Sequence, residues 1–380
     1  MSSRESDHPK LRTLFLYFCR LGLTKFGGPV ALVSAMQKDL VDNRKWFSQD
    51  DFNEGLSLAQ MMPGPLATQL AIYLGWVRAR ILGATLVSVG FITPPFLLVV
   101  GLAALYQKYG SLPWIQGAMY GVGAAVIAVI SRGAYQLTFK TLQKDRLLWA
   151  IAIILAFFTA VLESENFWLF ISAGLIYALI KTPPRISLKK RALSPFLFML
   201  PISAMPSENI LKIFTYFFKV GAMVFGSGMV IVPFLYSGVV KEFHWLNEQQ
   251  FIDAVAVAMI TPGPLVITVG FIGYLVAGFT GAVAATAGIF LPTYLFVIIP
   301  APFYRSLTKN IQIRNFVNGV TAAAVGSIAG AAIILGKKSL TDWKTITIFA
   351  AALLILIKVK KIPEPIIILL AALTGFLIKI

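Results

Sequence analysis

Gly22, Phe26, Gly27, Trp46, Phe52, Ala59, Pro63, Gly64, Pro65 and Leu66 recur as Gly221, Phe225, Gly226, Trp245, Phe251, Ala258, Pro262, Gly263, Pro264 and Leu265, at a constant offset of 199. After one deletion the offset is 198. Gly75, Gly90, Pro94, Gly121, Val122, Ala124, Ala125 and Ile130 then pair with Gly273, Gly288, Pro292, Gly319, Val320, Ala322, Ala323 and Ile328. A chain that writes its helix-breaking Gly and Pro twice in the same order is constrained to a fold of two like halves, with any site expected between them.

The halves are made for lipid. The chain is 58% hydrophobic and 13% charged, against roughly 25% charged in soluble domains, and its mean hydropathy is +0.80. Apolar stretches at 84–106, 116–138, 147–162, 167–180, 282–303, 315–336, 345–357 and 364–378 are spanning candidates, some short enough to need thin or tilted crossings. The polar start MSSRESDHPK lacks the pattern of a cleaved secretory leader, and none is expected. Cys19, the only cysteine, allows no internal disulfide.

The net charge of +17 is not placed for nucleic acid. Lys and Arg fall between apolar segments and form no nucleic-acid-binding module. With the basic linker (Lys181, Arg185, Lys189, Lys190, Arg191) set as cytoplasmic, the inside collects Arg78, Arg80, Lys140, Lys144, Arg146, Arg305, Lys309, Arg314, Lys358, Lys360 and Lys361. The outside holds Lys108, Lys337, Lys338, Lys344 and Lys379, with Glu163 and Glu165. Charge bias reverses between equivalent loops: Arg78 and Arg80 match the uncharged 276–280, and the acidic 163–166 matches Lys358, Lys360 and Lys361. Equivalent loops on opposite faces mean inverted repeats with an odd number of crossings each. The expected fold is an all-α polytopic membrane protein with about ten transmembrane helices. Its parts are a polar tail 1–10, a first repeat 11–181, a basic cytoplasmic linker 182–207 and a second repeat 208–380.

Each repeat begins with interrupted pieces. In the first, short helices are expected over 12–26, 29–41, 51–62 and 65–80, broken at Phe26-Gly27-Gly28-Pro29 and at Pro63-Gly64-Pro65. Such backbone survives at membrane depth only where protein or a wet cavity covers it.

The segments LGLTKFGGPVALVSAMQKDLV and LAQMMPGPLATQLAIYLGW, then VGAMVFGSGMVIVPFL and AMITPGPLVITVGFIGYLVAG, resemble the chromate ion transporter family in its long, two-domain form. The resemblance spans roughly 11–180 and 208–378, and the paired FGGP-like and PGP elements in order make it specific. It implies export of chromate across a bacterial inner membrane, driven by the proton motive force, with sulfate as the look-alike anion. The second half departs at Gly226-Ser227-Gly228, where the first has Gly27-Gly28-Pro29.

The residues themselves point to an anion. Pro29 and Pro65 stand where half-helices begin, and free N–H groups at a helix start, with glycine allowing close approach, suit a tetrahedral dianion. The substrate-binding candidates are Lys25, Phe26, Gly27, Gly28, Pro29, Gln60, Pro63, Gly64, Pro65, Phe225, Gly226, Ser227, Gly228, Thr261, Pro262, Gly263 and Pro264. The alternative is that these Gly and Pro only kink and pack helices. Lys25 lies beside the first break, while Arg20 and Lys219, equivalent to each other, are further basic candidates or else snorkelling side chains. Gln60, Thr68, Gln69, Thr261 and Thr268 can donate to oxyanion oxygens or satisfy the broken helices' own carbonyls.

Glu54 and Asp253 are equivalent carboxylates, each nine residues before its Pro-Gly-Pro. They are expected to relay protons; the bland alternative is that they cap or solvate helices starting after Trp46 and Trp245. An enzyme is not expected. His8 and His244 are the only histidines, and no Walker loop, Gly-x-Ser-x-Gly or zinc spacing occurs. A membrane enzyme using Glu54 and Asp253 on a lipid-borne substrate is the second-class alternative. Expected partners are the chromate- or sulfate-like anion, protons, the bilayer and, as an open alternative, a second copy in a homodimer. No cofactor, metal or nucleic acid is expected.

Overall fold

The computed structural model describes residues 9–26, 29–163, 167–183, 208–226, 228–304, 310–359 and 362–379. Gly27, Gly28 and Ser227, the tail 1–8, most of the linker, and Glu165, Arg305, Lys309, Lys360 and Lys361 lie outside them. The first half runs α1 (Leu11–Thr24), α2 (Pro29–Met36), a π-helical turn (Gln37–Asn43), α3 (Gln49–Met61), β1 (Gly64–Pro65), α4 (Leu66–Tyr109), α5 (Pro113–Leu142), α6 (Arg146–Leu162) and α7 (Phe167–Lys181). The second runs α8 (Glu208–Gly221), β2 (Phe225–Gly226), a 3-10 turn (Gly228–Val230), α9 (Ile231–Leu235), a π-helical turn (Tyr236–Glu242), α10 (Glu248–Ile260), a 3-10 turn (Leu265–Ile267) and α11 (Thr268–Ile298). After a further 3-10 turn (Ala301–Phe303) come α12 (Ile311–Ser339), α13 (Trp343–Lys358) and α14 (Glu364–Lys379).

The repeat written in the sequence is a repeat in three dimensions. Both π-helical turns fall at the same offset, each is followed by a residue of positive φ, Lys45 at 52° and His244 at 51°, and α3 and α10 begin with matched capping boxes on Ser48 and Asn247. In each box the first side chain accepts from the backbone three residues on, and the partner there, Asp51 or Gln250, returns the bond.

Among the described residues, four helices are long and apolar enough to cross a membrane: α4, α5, α12, and α11 with its flanking 3-10 turns. Together with the shorter apolar α6 and α7 they establish a multi-pass membrane protein. α4 is not one straight rod. Ala79 and Arg80 leave helical geometry, and a Cβ added to Gly75 would lie 2.5 Å from the Gly83 carbonyl oxygen. Residues eight apart in a straight helix stand about 12 Å apart, so the chain turns back sharply there. α11 repeats the device at Ala277 and Gly278, with Gly273 against Gly281.

Small residues let the helices touch backbone to backbone. α1 packs on the second arm of α4 through Gly22 and Gly90, and α8 packs on α11 through Gly221 and Gly288. The long helices cross between the halves: Gly121 of α5 lies against Ala371 and Gly375 of α14, while Gly319 of α12 lies against Ala173 and Gly174 of α7. Each half therefore lends its last helices to the central helix of the other.

Candidate functional site

The two Pro-Gly-Pro turns meet the other half's first break. Gly64 and Pro65 pair in parallel with Phe225 and Gly226, and the Gly64 N–H donates to the Val224 carbonyl. Its counterpart, the Gly263 N–H, donates to the Lys25 carbonyl at 3.2 Å. Lys25 and Val224 are equivalent positions, so the bonds are reciprocal between the halves. Backbone groups freed by the breaks are thus satisfied by the opposite repeat. Glycine is required at both turns, since φ is +141° at Gly64 and +102° at Gly263.

A cavity of about 50 Å³ lies at this crossing. Its wall includes Pro65 and Ala67 at the start of α4, Pro264 and Val266 before α11, and Thr261 and Met229. Two helix starts thus converge on one space, bringing N–H groups and the positive ends of two dipoles.

Side chains around the turns mostly serve the backbone. Gln69 Nε2 donates to the Pro63 carbonyl at 2.6 Å, Thr261 Oγ1 to the Ala258 carbonyl at 3.1 Å and Thr268 Oγ1 to the Leu265 carbonyl at 2.7 Å. Thr68 Oγ1 and Gln69 Oε1 are buried with no protein partner among the described residues, and such atoms call for a water or a ligand.

Of the predicted site residues, Pro65, Gly228, Thr261, Gly263 and Pro264 line the cavity, and Pro63, Gly64 and Pro262 build its turns. Pro29 begins α2, and Phe225 and Gly226 supply β2. Phe26 is exposed at the end of the first break. Lys25, Arg20, Lys219 and Gln60 are exposed and outside the cavity wall. Lys25 takes part through its carbonyl, not its ammonium group.

Glu54 and Asp253 do not cap their helices, because Ser48 and Asn247 do. Each instead accepts a tyrosine hydroxyl: Tyr73 to Glu54 at 3.1 Å, and Tyr106 to Asp253 at 2.6 Å. Asp253 is 2% exposed and also accepts from Gln249 at 2.8 Å. It lies at the edge of an open cleft of about 590 Å³ lined by Gln107, Gln116, Asn247 and Gln250 among others. Tyr304, equivalent to Tyr106, packs in the cluster around Tyr73.

Two charged residues escape the sequence reading. Glu364, in the first turn of α14, lines the cavity, and the antiparallel contacts of Gly117 with Gly375 and of Gly121 with Ala371 bring Arg132 of α5 to its level. Arg132 carried the same signal used for Arg20 and Lys219, a basic residue inside an apolar helix, in the 116–138 stretch. Glu364 stands between Pro363 and Pro365 at the first position of the 364–378 stretch, where no local pattern marks it as functional.

Interrupted helices crossing inside a bundle of spanning helices, with a small cavity at the crossing, define a membrane transport protein. The chain belongs to the chromate transporter family, whose model, described as "Chromate transporter", matches residues 12–179 and 211–376. It is 51% identical over 371 residues to the chromate transport protein of Cupriavidus metallidurans, covering 96% of this chain and 92% of that one. It is 51% identical to a probable chromate transport protein of Synechococcus elongatus, covering 97% and 96%. With the chromate transport protein of Pseudomonas aeruginosa it shares 34% identity over 96% of this chain and 92% of the other. These relatives are named for transport, a role without chemical conversion. No solved structure matches.

Proposed function

We propose that this protein exports chromate across the bacterial inner membrane as a tetrahedral dianion, using the proton motive force. The observation that carries the anion reading is the convergence of two helix starts on one cavity at the crossing of the repeats. Backbone N–H groups and dipole ends fit distributed negative charge. The names of the relatives favour chromate within that class.

The repeats are read as inverted, with about ten crossings in all, because charge bias reverses between equivalent loops. Glu54 and Asp253 are read as proton carriers. They are equivalent carboxylates, each held by a tyrosine hydroxyl that can pass a proton, and Asp253 borders a polar cleft open to water. Sulfate is the second reading, favoured by the same cavity: contacts from backbone and small side chains read shape and charge and discriminate weakly between isosteres.

The deciding experiment is uptake into proteoliposomes with an imposed pH gradient, chromate and sulfate competing. Chromate should accumulate against its gradient and outcompete sulfate. Glu54→Gln and Asp253→Asn should still exchange anion down its own gradient but lose pH-driven accumulation. If both variants concentrate chromate as the parent does, the coupling groups lie elsewhere. If no oxyanion moves, the substrate reading fails.

A further inference from the structure

The cavity at the crossing combines two opposite electrostatic features. Two helix starts turn positive dipole ends toward it, yet among the described residues the one charged side chain lining it is a carboxylate, Glu364. A dianion brought beside an ionised carboxylate at low local dielectric is strongly repelled. The carboxylate must be neutral, or moved aside, whenever the anion is in place.

The structure supplies a means for both. Gly117 of α5 meets Gly375 and Gly121 meets Ala371, so α5 and α14 run antiparallel and their register brings Arg132 to the level of the half-buried Glu364. The next residue on α5, Gly133, lies against Met229, which itself lines the cavity, so this turn of α5 adjoins the site. A guanidinium keeps its charge at any working pH. The other surroundings of Glu364 are quiet. From α10 the uncharged Ala258 and Met259 reach the cavity, while its Glu248 pairs with Lys338 and its Asp253 with Tyr106. α13, also packed on α14, ends in the exposed Lys358.

We propose that Glu364 gates the anion cavity: ionised, it holds Arg132 and repels a dianion; protonated from water on the open side, it releases the guanidinium to the entering anion. This rests on the oxyanion-transport reading and adds its linkage. The linkage is one of binding: a lower pH on the side to which the cavity is open tightens the anion. Glu364 governs whether the anion binds, which separates it from the carboxylates proposed to act in transport.

The test is equilibrium binding of radiolabelled sulfate, a dianion throughout the range, to the purified full chain in lipid nanodiscs from pH 6 to 8. In the parent, affinity should rise up to tenfold for each pH unit lowered, the limit for linkage to one proton. Glu364→Gln should bind as tightly as the parent at its acid limit and lose the slope. Arg132→Gln should bind at least tenfold more weakly at every pH, with partial recovery in Arg132→Lys. A slope in Glu364→Gln equal to the parent's, or parental affinity in Arg132→Gln, overturns the proposal and leaves the transport reading standing. If the parent binds neither sulfate nor chromate at any pH, the transport reading fails and the gate with it. Should a single variant fail to fold, Glu364→Gln combined with Arg132→Gln leaves no charge unpaired, and a retained pH slope in that protein also overturns the gate.

Discussion

Replacing Gly64 by alanine isolates the energetic demand of the crossing. Gly64 holds φ at +141°, and an added Cβ would lie 2.6 Å from Gln69 Nε2 and 2.8 Å from Gln69 Cδ. The backbone term is roughly 1–3 kcal/mol for a conformation reserved to glycine. The crowding displaces Gln69 from the Pro63 carbonyl, which removes a hydrogen bond worth about 0.5–1.5 kcal/mol. Together Gly64→Ala should destabilise by about 1.5–4.5 kcal/mol. Two glycines calibrate the figure. Gly278 has φ of +61° but open space around it, so Gly278→Ala bears the backbone term alone. Gly101 sits inside α4 with nothing within 4 Å, so Gly101→Ala should stabilise by about 0.5–1 kcal/mol. Thermal unfolding in one detergent, followed by circular dichroism, should rank the proteins Gly101→Ala, parent, Gly278→Ala, Gly64→Ala from most to least stable. Gly64→Ala melting with the parent, or all three variants shifting alike, would refute the reasoning.

Three further outcomes are expected. With Cys19 replaced, single cysteines at Arg78 and Val276, which stand beside the two equivalent turns, should react with an impermeant reagent from opposite faces, Arg78 from the cytoplasm; labelling from one side ends the inverted-repeat reading. Lys25→Ala should slow anion capture severalfold at low ionic strength and little at high salt, because an exposed cation outside the cavity wall acts by steering; a salt-independent loss of about 1.5–3 kcal/mol would make its ammonium a direct ligand. The Lys241 ammonium, hydrogen-bonded to Glu163, holds that carboxyl below its usual range. Stability from the pair is therefore present above the ordinary glutamate value of about 4.3 and lost as pH falls through the lower folded value. Glu163→Gln should thus lower the melting temperature slightly at neutral pH, within the about 0–1 kcal/mol of an exposed pair, and match the parent in acid; a difference that persists in acid would contradict the assignment.

What the sequence determined by itself is local. Gly and Pro disrupt the helix at their own positions, so the pieces expected at 12–26, 29–41, 51–62 and 65–80 differ by only one or two residues at most ends from those observed, and the turn at Ala79 and Arg80 falls where the basic pair marks a loop. The apolar spans are equally legible, because length and hydropathy suffice to identify them. The duplicated Pro-Gly-Pro also marked the neighbourhood of the cavity, since breaks conserved between two halves must be satisfied somewhere. Only the tertiary structure decided who satisfies whom. Nothing in the periodicity of 63–65 says that Gly64 bonds Val224, or that α5 packs against α14 and α12 against α7. The same holds for Arg132 and Glu364, which no local pattern joins. A charge in an apolar helix has meaning only from what stands beside it, and α14 is brought beside α5 from the far half of the chain by glycine faces that let backbones touch. Lys25 teaches the converse: its place beside the break was readable, but the direction of its side chain, out to the surface while its carbonyl serves the crossing, was settled by packing.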